Sequence, residues 1–92
     1  MYRVIVLYEQ EPDAGSYAEH VELCKQVPGS VFRHGKVTGA PMGDAKHAYY
    51  AEWEFADGDA FNTATHSDEF MATGKDAMAL GKRFSVEFVE LA

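Results

Sequence analysis

The run Tyr2–Tyr8 constrains the fold most, because both of its alternating sets of side chains are largely apolar. Six of its seven side chains are β-branched, aliphatic or aromatic, and only Arg3 departs from the pattern, which predicts a β-strand. Successive side chains of a strand point to opposite faces, so we expect both faces of this strand to be covered. The 92 residues have room for one domain, spanning 1–92, whose small core a partner subunit would help to complete.

The segment after the first strand has apolar residues at the spacing of a helix. Ser16 and Glu19 fit a capping box, which predicts that a helix begins at Ser16. Proline disfavours helical geometry before it and glycine permits a turn, so Pro28-Gly29 is expected to end this helix. The residues at helical spacing form a predicted buried stripe: Tyr17, His20, Val21, Cys24 and Val27.

The rest of the chain alternates strand and helix signals. Further strands are expected at 30–37, 47–55 and 83–91, with helical segments that begin after Asp57 and Ser67. The order β-α-β-β-α-β predicts an α+β, ferredoxin-like sandwich: a four-stranded antiparallel sheet with its helices on one face. Because the other face would expose apolar side chains, we expect a homodimer in which two sheets face each other.

Charge and composition exclude several partners. The chain has 8 Lys and Arg against 15 Asp and Glu, for a net charge of −7, which argues against nucleic acid and against anionic membranes. No apolar run approaches the roughly 20 residues of a membrane span, and we see no signal peptide. A single cysteine cannot form an intramolecular disulfide, so a cytoplasmic protein is expected.

Six segments of the chain together match a known pattern: Tyr2–Glu9, His20–Leu23, Pro28-Gly29, Gly39 with Pro41, Ala51–Phe55 and Ser67–Phe84. On these segments the chain resembles the EthD family of dimeric α+β barrels. The resemblance implies a cofactor-independent enzyme of the isomerase, cyclase, lyase or monooxygenase type. Its substrate would be an apolar aromatic or polyketide-like molecule, bound between sheet and helices, and no cofactor would be needed.

His20 is the candidate catalytic residue. It lies on the apolar stripe of the first helix, where an imidazole can exchange protons near neutral pH. The alternative is a core histidine bonded to a backbone carbonyl or a tyrosine hydroxyl. Tyr17, His47, Tyr49 and Trp53 are expected to bind the substrate, because aromatic side chains with one polar tip orient flat apolar ligands. Their alternative role is ordinary core and dimer packing.

The other ionisable residues give weaker signals. His34 and His66 are interpreted as surface residues, and no histidine pair has the spacing of a metal site. Cys24 has no second cysteine nearby and is interpreted as core filler. No phosphate-binding or dinucleotide motif occurs. Four aspartates are interpreted as helix caps or solvated positions: Asp57, Asp59, Asp68 and Asp76.

Two other functions fit the same pattern. The protein could hold or deliver a hydrophobic metabolite as a binding or accessory protein without turnover. It could also be a structural dimer whose pocket is filled by its own side chains. An open cavity with His20 in its wall would favour the enzyme or the binding protein over the structural role.

Overall fold

The computed structural model describes all 92 residues and has the predicted ferredoxin-like topology, with three helices. The four strands form one antiparallel sheet in the order β2-β3-β1-β4. The elements are β1 (Tyr2–Tyr8), α1 (Ala14–Cys24), β2 (Val31–Lys36), β3 (Tyr49–Phe55), α2 (Gly58–Thr65), α3 (Asp68–Ala79) and β4 (Phe84–Glu90). None of the three helices has the length and apolar character that crossing a bilayer requires.

The helices pack against one face of the sheet, and the shortest dimension of the molecule, 16 Å, corresponds to these two layers. Strand register places Val4 of β1 opposite Trp53 of β3 and Phe88 of β4, so these side chains share the helix-facing side. The core lies between this face and the helices. Its buried members are Val4, Val6, Tyr8, Tyr17, Val21, Cys24, Val27, Ala51, Trp53, Phe55 and Ala64.

The predicted stripe of the first helix is buried as expected, but the predicted start of that helix is wrong. The N-cap is Asp13, whose side chain accepts a hydrogen bond from the Ser16 amide at 3.2 Å. Ser16 therefore lies inside the first turn, and its hydroxyl bonds to the same carboxylate. An aspartate three residues before an amide caps a helix as well as serine does, and here it begins the helix two residues earlier.

Other boundaries differ from the predictions by one to four residues. The helix α1 ends at Cys24 rather than at Pro28-Gly29, and the chain then turns through Gly29 with a φ of +68°. The strand β3 begins at Tyr49, so His47 precedes it instead of belonging to it. The predicted caps Asp57 and Ser67 are confirmed: their side chains accept from Ala60 N and Phe70 N.

The second face of the sheet has no helix over it and contains a network of ion pairs. Arg3 and Arg33 bind Glu54 and Glu52 across neighbouring strands, with the shortest contacts at 2.9 and 2.7 Å. Tyr50 donates its hydroxyl proton to Glu52. Glu52 is only 6% exposed, although no helix covers this face. Ile5, Leu7 and Val89 lie on this same face around the network and are half-buried.

Candidate functional site

An apolar cavity of about 130 Å³ lies on the helix-facing side of the sheet, between the sheet and α3. It has the size of a single aromatic ring, since an engineered apolar cavity of about 150 Å³ binds benzene. The sheet supplies the floor and one wall, α3 supplies the other wall, and α1 contributes one residue. The lining consists of Val6, Tyr8, His20, Trp53, Phe70, Thr73, Gly74, Ala77, Phe84, Val86 and Phe88.

His20 is the residue from α1, and it is paired with an aspartate of α3. Its Nδ1 lies 2.7 Å from Asp76 Oδ2. The histidine is 3% exposed, whereas the Asp76 side chain is 38% exposed and reaches solvent. The pair therefore connects the cavity wall to the surface of the protein and ties α1 to α3.

This pairing fixes the orientation of the imidazole and determines which of its nitrogens can react. An ionised carboxylate only accepts hydrogen bonds, so Nδ1 carries the proton in the pair. Nε2 has no partner within the chain and is the nitrogen left for a molecule in the cavity. In the neutral ring, Nε2 has a free lone pair and can accept a proton.

The sequence placed His20 correctly on the buried side of α1 but gave no sign of Asp76 as its partner. Asp76 was interpreted as a cap or solvated position; its side chain is 38% exposed, but its carboxylate also bonds to His20, which that interpretation did not include. The two residues are 56 positions apart. Only the packing of α1 on α3 brings them together, and no local spacing reports that packing.

Among the predicted substrate-binding residues, Trp53 lines the cavity with His20. Trp53 is 4% exposed and donates from Nε1 to the Cys24 carbonyl at 2.9 Å. Its ring packs against Phe32 and Phe70, with centroids 5.2 and 5.4 Å away. The alternation of apolar and polar side chains along β3 was sufficient to predict that Trp53 lies on the apolar face of this strand.

Tyr17 and Tyr49 lie outside this cavity and line a separate cleft of about 240 Å³ between α1 and β2. The Tyr17 ring lies 5.4 Å from the His20 ring and 5.0 Å from the Tyr49 ring, measured between centroids. The Tyr17 hydroxyl is sealed from solvent, and burial raises its pKa. The Tyr17 ring therefore packs against the His20 ring outside the His20 cavity.

The remaining histidines do not join His20. His47 lines neither the cavity nor the cleft, so the structure does not bring it to the predicted site. His34 is exposed as expected, and its Nδ1 lies 2.6 Å from the Tyr49 hydroxyl. His66 is also exposed and bonds to the Asn62 carbonyl. No three His, Cys, Asp or Glu side chains converge as a metal-binding group.

Two further ionisable groups near His20 are held in their neutral forms by burial. Burial raises the pKa of the Cys24 thiol to about 12, so this cysteine is not a nucleophile at neutral pH. Burial likewise raises the pKa of Tyr8 to about 12. Tyr8 lines the cavity and keeps its proton at neutral pH. From the sequence, Tyr8 was predicted only as a residue of the first strand.

The side chains of β4 at the cavity are more exposed than the strand pattern suggested. Phe84, Val86 and Phe88 share the helix-facing side as expected. Val86 is nevertheless 45% and Phe88 60% exposed, because the helices cover only part of the outer strand. The cavity therefore opens to solvent along an apolar edge.

Comparison with solved structures identifies relatives of this fold. An EthD (ethyl tert-butyl ether D) family protein from Bacillus halodurans C-125 is 31% identical and superposes with a TM-score of 0.82, covering 100% of this chain and 99% of the other. A hydroxynitrile lyase from Passiflora edulis is 14% identical with a TM-score of 0.75, covering 99% and 93%. A dimeric ferredoxin-like protein of unknown function from Jannaschia sp. CCS1 is 19% identical with a TM-score of 0.69, covering 98% of each chain.

The second and third of these similarities establish the fold alone. A scan against protein-family models finds no match, and neither does a search of curated protein sequences. The first similarity extends over the whole length of both proteins at 31% identity. This chain therefore belongs to the EthD family.

Proposed function

We propose that this protein is a cofactor-independent enzyme that moves a proton on an apolar small molecule, with His20 as the general acid and base. The observation that carries the proposal is the His20–Asp76 pair in the wall of an otherwise apolar cavity. A buried histidine with one nitrogen held by a carboxylate and the other turned to a cavity is an arrangement suited to proton transfer.

In the proposed reaction, His20 Nε2 removes an acidic proton from the bound substrate. Asp76 stabilises the imidazolium that forms, because its carboxylate accepts the Nδ1 hydrogen bond at 2.7 Å. The same proton then returns from Nε2 to another atom of the substrate or to the leaving group. Isomerisation, cyclisation and lyase chemistry all use these two transfers and need no redox partner.

The side chains that line the cavity indicate the class of substrate. A ring in the cavity would lie against Trp53 and Phe70, and the small volume admits about one ring. Tyr8 keeps its proton and supplies a hydrogen-bond donor for a carbonyl, hydroxyl or nitrile group on that ring. The substrate that fits is therefore an apolar, ring-containing molecule with one polar group and an acidic proton.

We also propose that the protein works as a homodimer whose two open sheet faces meet. This face carries half-buried apolar side chains around the ion pairs of Glu52 and Glu54. A relative with the same fold is described as dimeric. An obligate interface of this kind buries on the order of 2,000 Å² or more. The cytoplasm is the compartment we assign, since Cys24 is a free thiol.

The test is a screen of apolar ring compounds by thermal shift, followed by NMR in D₂O, where proton abstraction appears as exchange of substrate hydrogen for deuterium. His20→Gln keeps a polar group of similar reach, so we expect ligand binding to persist and exchange to fall by about 10²–10⁴-fold. Asp76→Asn should also slow exchange strongly, because an amide no longer enforces the Nδ1 proton.

The matched control is Glu19→Gln, which removes a carboxylate one residue from His20 on the exposed side of α1. We expect this variant to exchange within about twofold of the wild type. Exchange by His20→Gln within about threefold of the wild type would refute the catalytic role. Ligands that bind the wild type without any exchange or turnover would instead identify the protein as a binding or accessory protein for a hydrophobic metabolite.

A further inference from the structure

Gly74 lies in the middle of α3 and lines the same cavity as His20. Glycine is the least favourable residue in a helix interior apart from proline, because its backbone loses the most freedom on folding. A glycine at this position therefore needs a reason that offsets its cost to the helix.

Neither of the usual structural reasons applies to Gly74. A positive φ requires the glycine at Gly81, with φ of +74°, but Gly74 is helical. Close packing explains Gly58, where an added Cβ would lie 3.3 Å from Tyr2. Gly74 is exposed, and an added Cβ there would meet no atom within 4 Å apart from the backbone of its own helix. The absent side chain thus leaves open space at the cavity.

Two exposed apolar side chains of β4, Val86 and Phe88, line this same cavity. The cavity itself holds about one ring. A longer ligand would leave the cavity on its open side, where it could cover Val86 and Phe88 and remove their apolar surface from water.

We propose that Gly74 sets the length of the substrate, and that the site takes a ring carrying an apolar extension which crosses the cavity mouth at Gly74. The inference rests on the proposed function, because it concerns the ligand of the same site. Any side chain at position 74 would occupy the space of the extension and leave the space of the ring.

Phenol and 4-butylphenol test this, since they share a ring and differ only in an apolar tail. Their dissociation constants would be measured by titration calorimetry for the wild type, Gly74→Ala and Gly74→Leu. Ala72→Leu is the matched control, because Ala72 is an exposed residue of α3 that does not line the cavity. Thermal unfolding would be recorded for each variant.

We expect the wild type to bind 4-butylphenol more tightly than phenol by about tenfold or more, since each buried methylene contributes roughly fourfold in affinity. Gly74→Leu should keep phenol binding within about twofold and lose the advantage of 4-butylphenol. Gly74→Ala should raise the unfolding midpoint and retain part of the advantage. Ala72→Leu should resemble the wild type in both affinities.

If Gly74→Leu prefers 4-butylphenol over phenol as strongly as the wild type does, or loses affinity for both phenols equally, the role of Gly74 is overturned. The proposed function of the cavity would remain intact. A change of oligomeric state in Gly74→Leu, with binding unaffected, would show that the open edge contacts another chain and would also overturn it. If the wild type binds neither phenol, both this inference and the proposed ligand class fail.

Discussion

Replacing Trp53 with alanine tests the packing of the sheet against the helices. The Trp53 side chain is 4% exposed on the central strand β3. A buried aromatic side chain removes roughly 150–250 Å² from water, which at about 25 cal/mol per Å² corresponds to roughly 4–6 kcal/mol. Alanine retains a small part of this, and the residues around the existing cavity can relax into the space. We therefore expect a loss of about 3–5 kcal/mol.

The hydrogen bond from Trp53 Nε1 adds little to this figure. Its acceptor, the Cys24 carbonyl, also receives the Val27 amide at 3.4 Å, so the carbonyl keeps a partner when the indole is removed. A domain of this size has roughly 5–14 kcal/mol of stability. The variant should thus lose a large fraction of its stability and still be measurable by urea denaturation.

Circular dichroism is the required probe, because Trp53 is the only tryptophan and its removal abolishes tryptophan fluorescence. Protomer concentration must be held constant, since dimerisation contributes to apparent stability. Trp53→Phe is the matched control: it keeps a ring against Phe32 and Phe70 and should cost about 1–2 kcal/mol. A loss under about 1 kcal/mol for Trp53→Ala would refute the burial argument.

Three further outcomes follow from the structure. Sedimentation at micromolar concentration should show a species of twice the 10.2 kDa chain mass, and a monomer alone would contradict the dimer. The hydrogen bond from Arg3 lowers the pKa of Glu54 below 4.5, so the ionised carboxylate stabilises the fold above that pH and this stabilisation is lost as acid protonates the folded carboxylate. Glu54→Gln should therefore flatten the fall of the urea midpoint between pH 6 and pH 3. An unchanged slope would contradict the role of the Arg3–Glu54 pair. Cys24 should resist iodoacetamide at pH 8 in the native protein and react on unfolding, because its thiol is fully buried and has a pKa of about 12. Rapid labelling of the native protein would contradict the burial of Cys24.

Much of the fold could be predicted because the signals are local. The two-sided apolar run of β1 and the alternation of β3 identify strands whatever surrounds them. The stripe of α1 likewise identified its buried face. The start of α1 was predicted wrongly because Asp13 and Ser16 are both good caps within three residues of each other, and local sequence does not rank them.

The site was predictable only in part, because its residues meet through packing. His20 could be assigned to a buried face, but its partner Asp76 depends on how α1 and α3 lie against each other. The exposure of Phe88 depends on how far the helices extend over β4, which the alternation of one strand does not report. Tyr17 and Tyr49 were expected beside His20 in one pocket, yet they line the neighbouring cleft.

In the proposed site, His20 faces its ligand through Nε2 while Asp76 holds Nδ1. Nitrogen-15 NMR of the imidazole, recorded with and without phenol, measures this directly. In the neutral ring we expect the proton on Nδ1, and we expect phenol to shift the Nε2 resonance by donating a hydrogen bond to it. Asp76→Asn should weaken the preference for this tautomer. A proton on Nε2 in the neutral ring, or an Nε2 resonance that does not respond to bound phenol, would contradict this arrangement of His20.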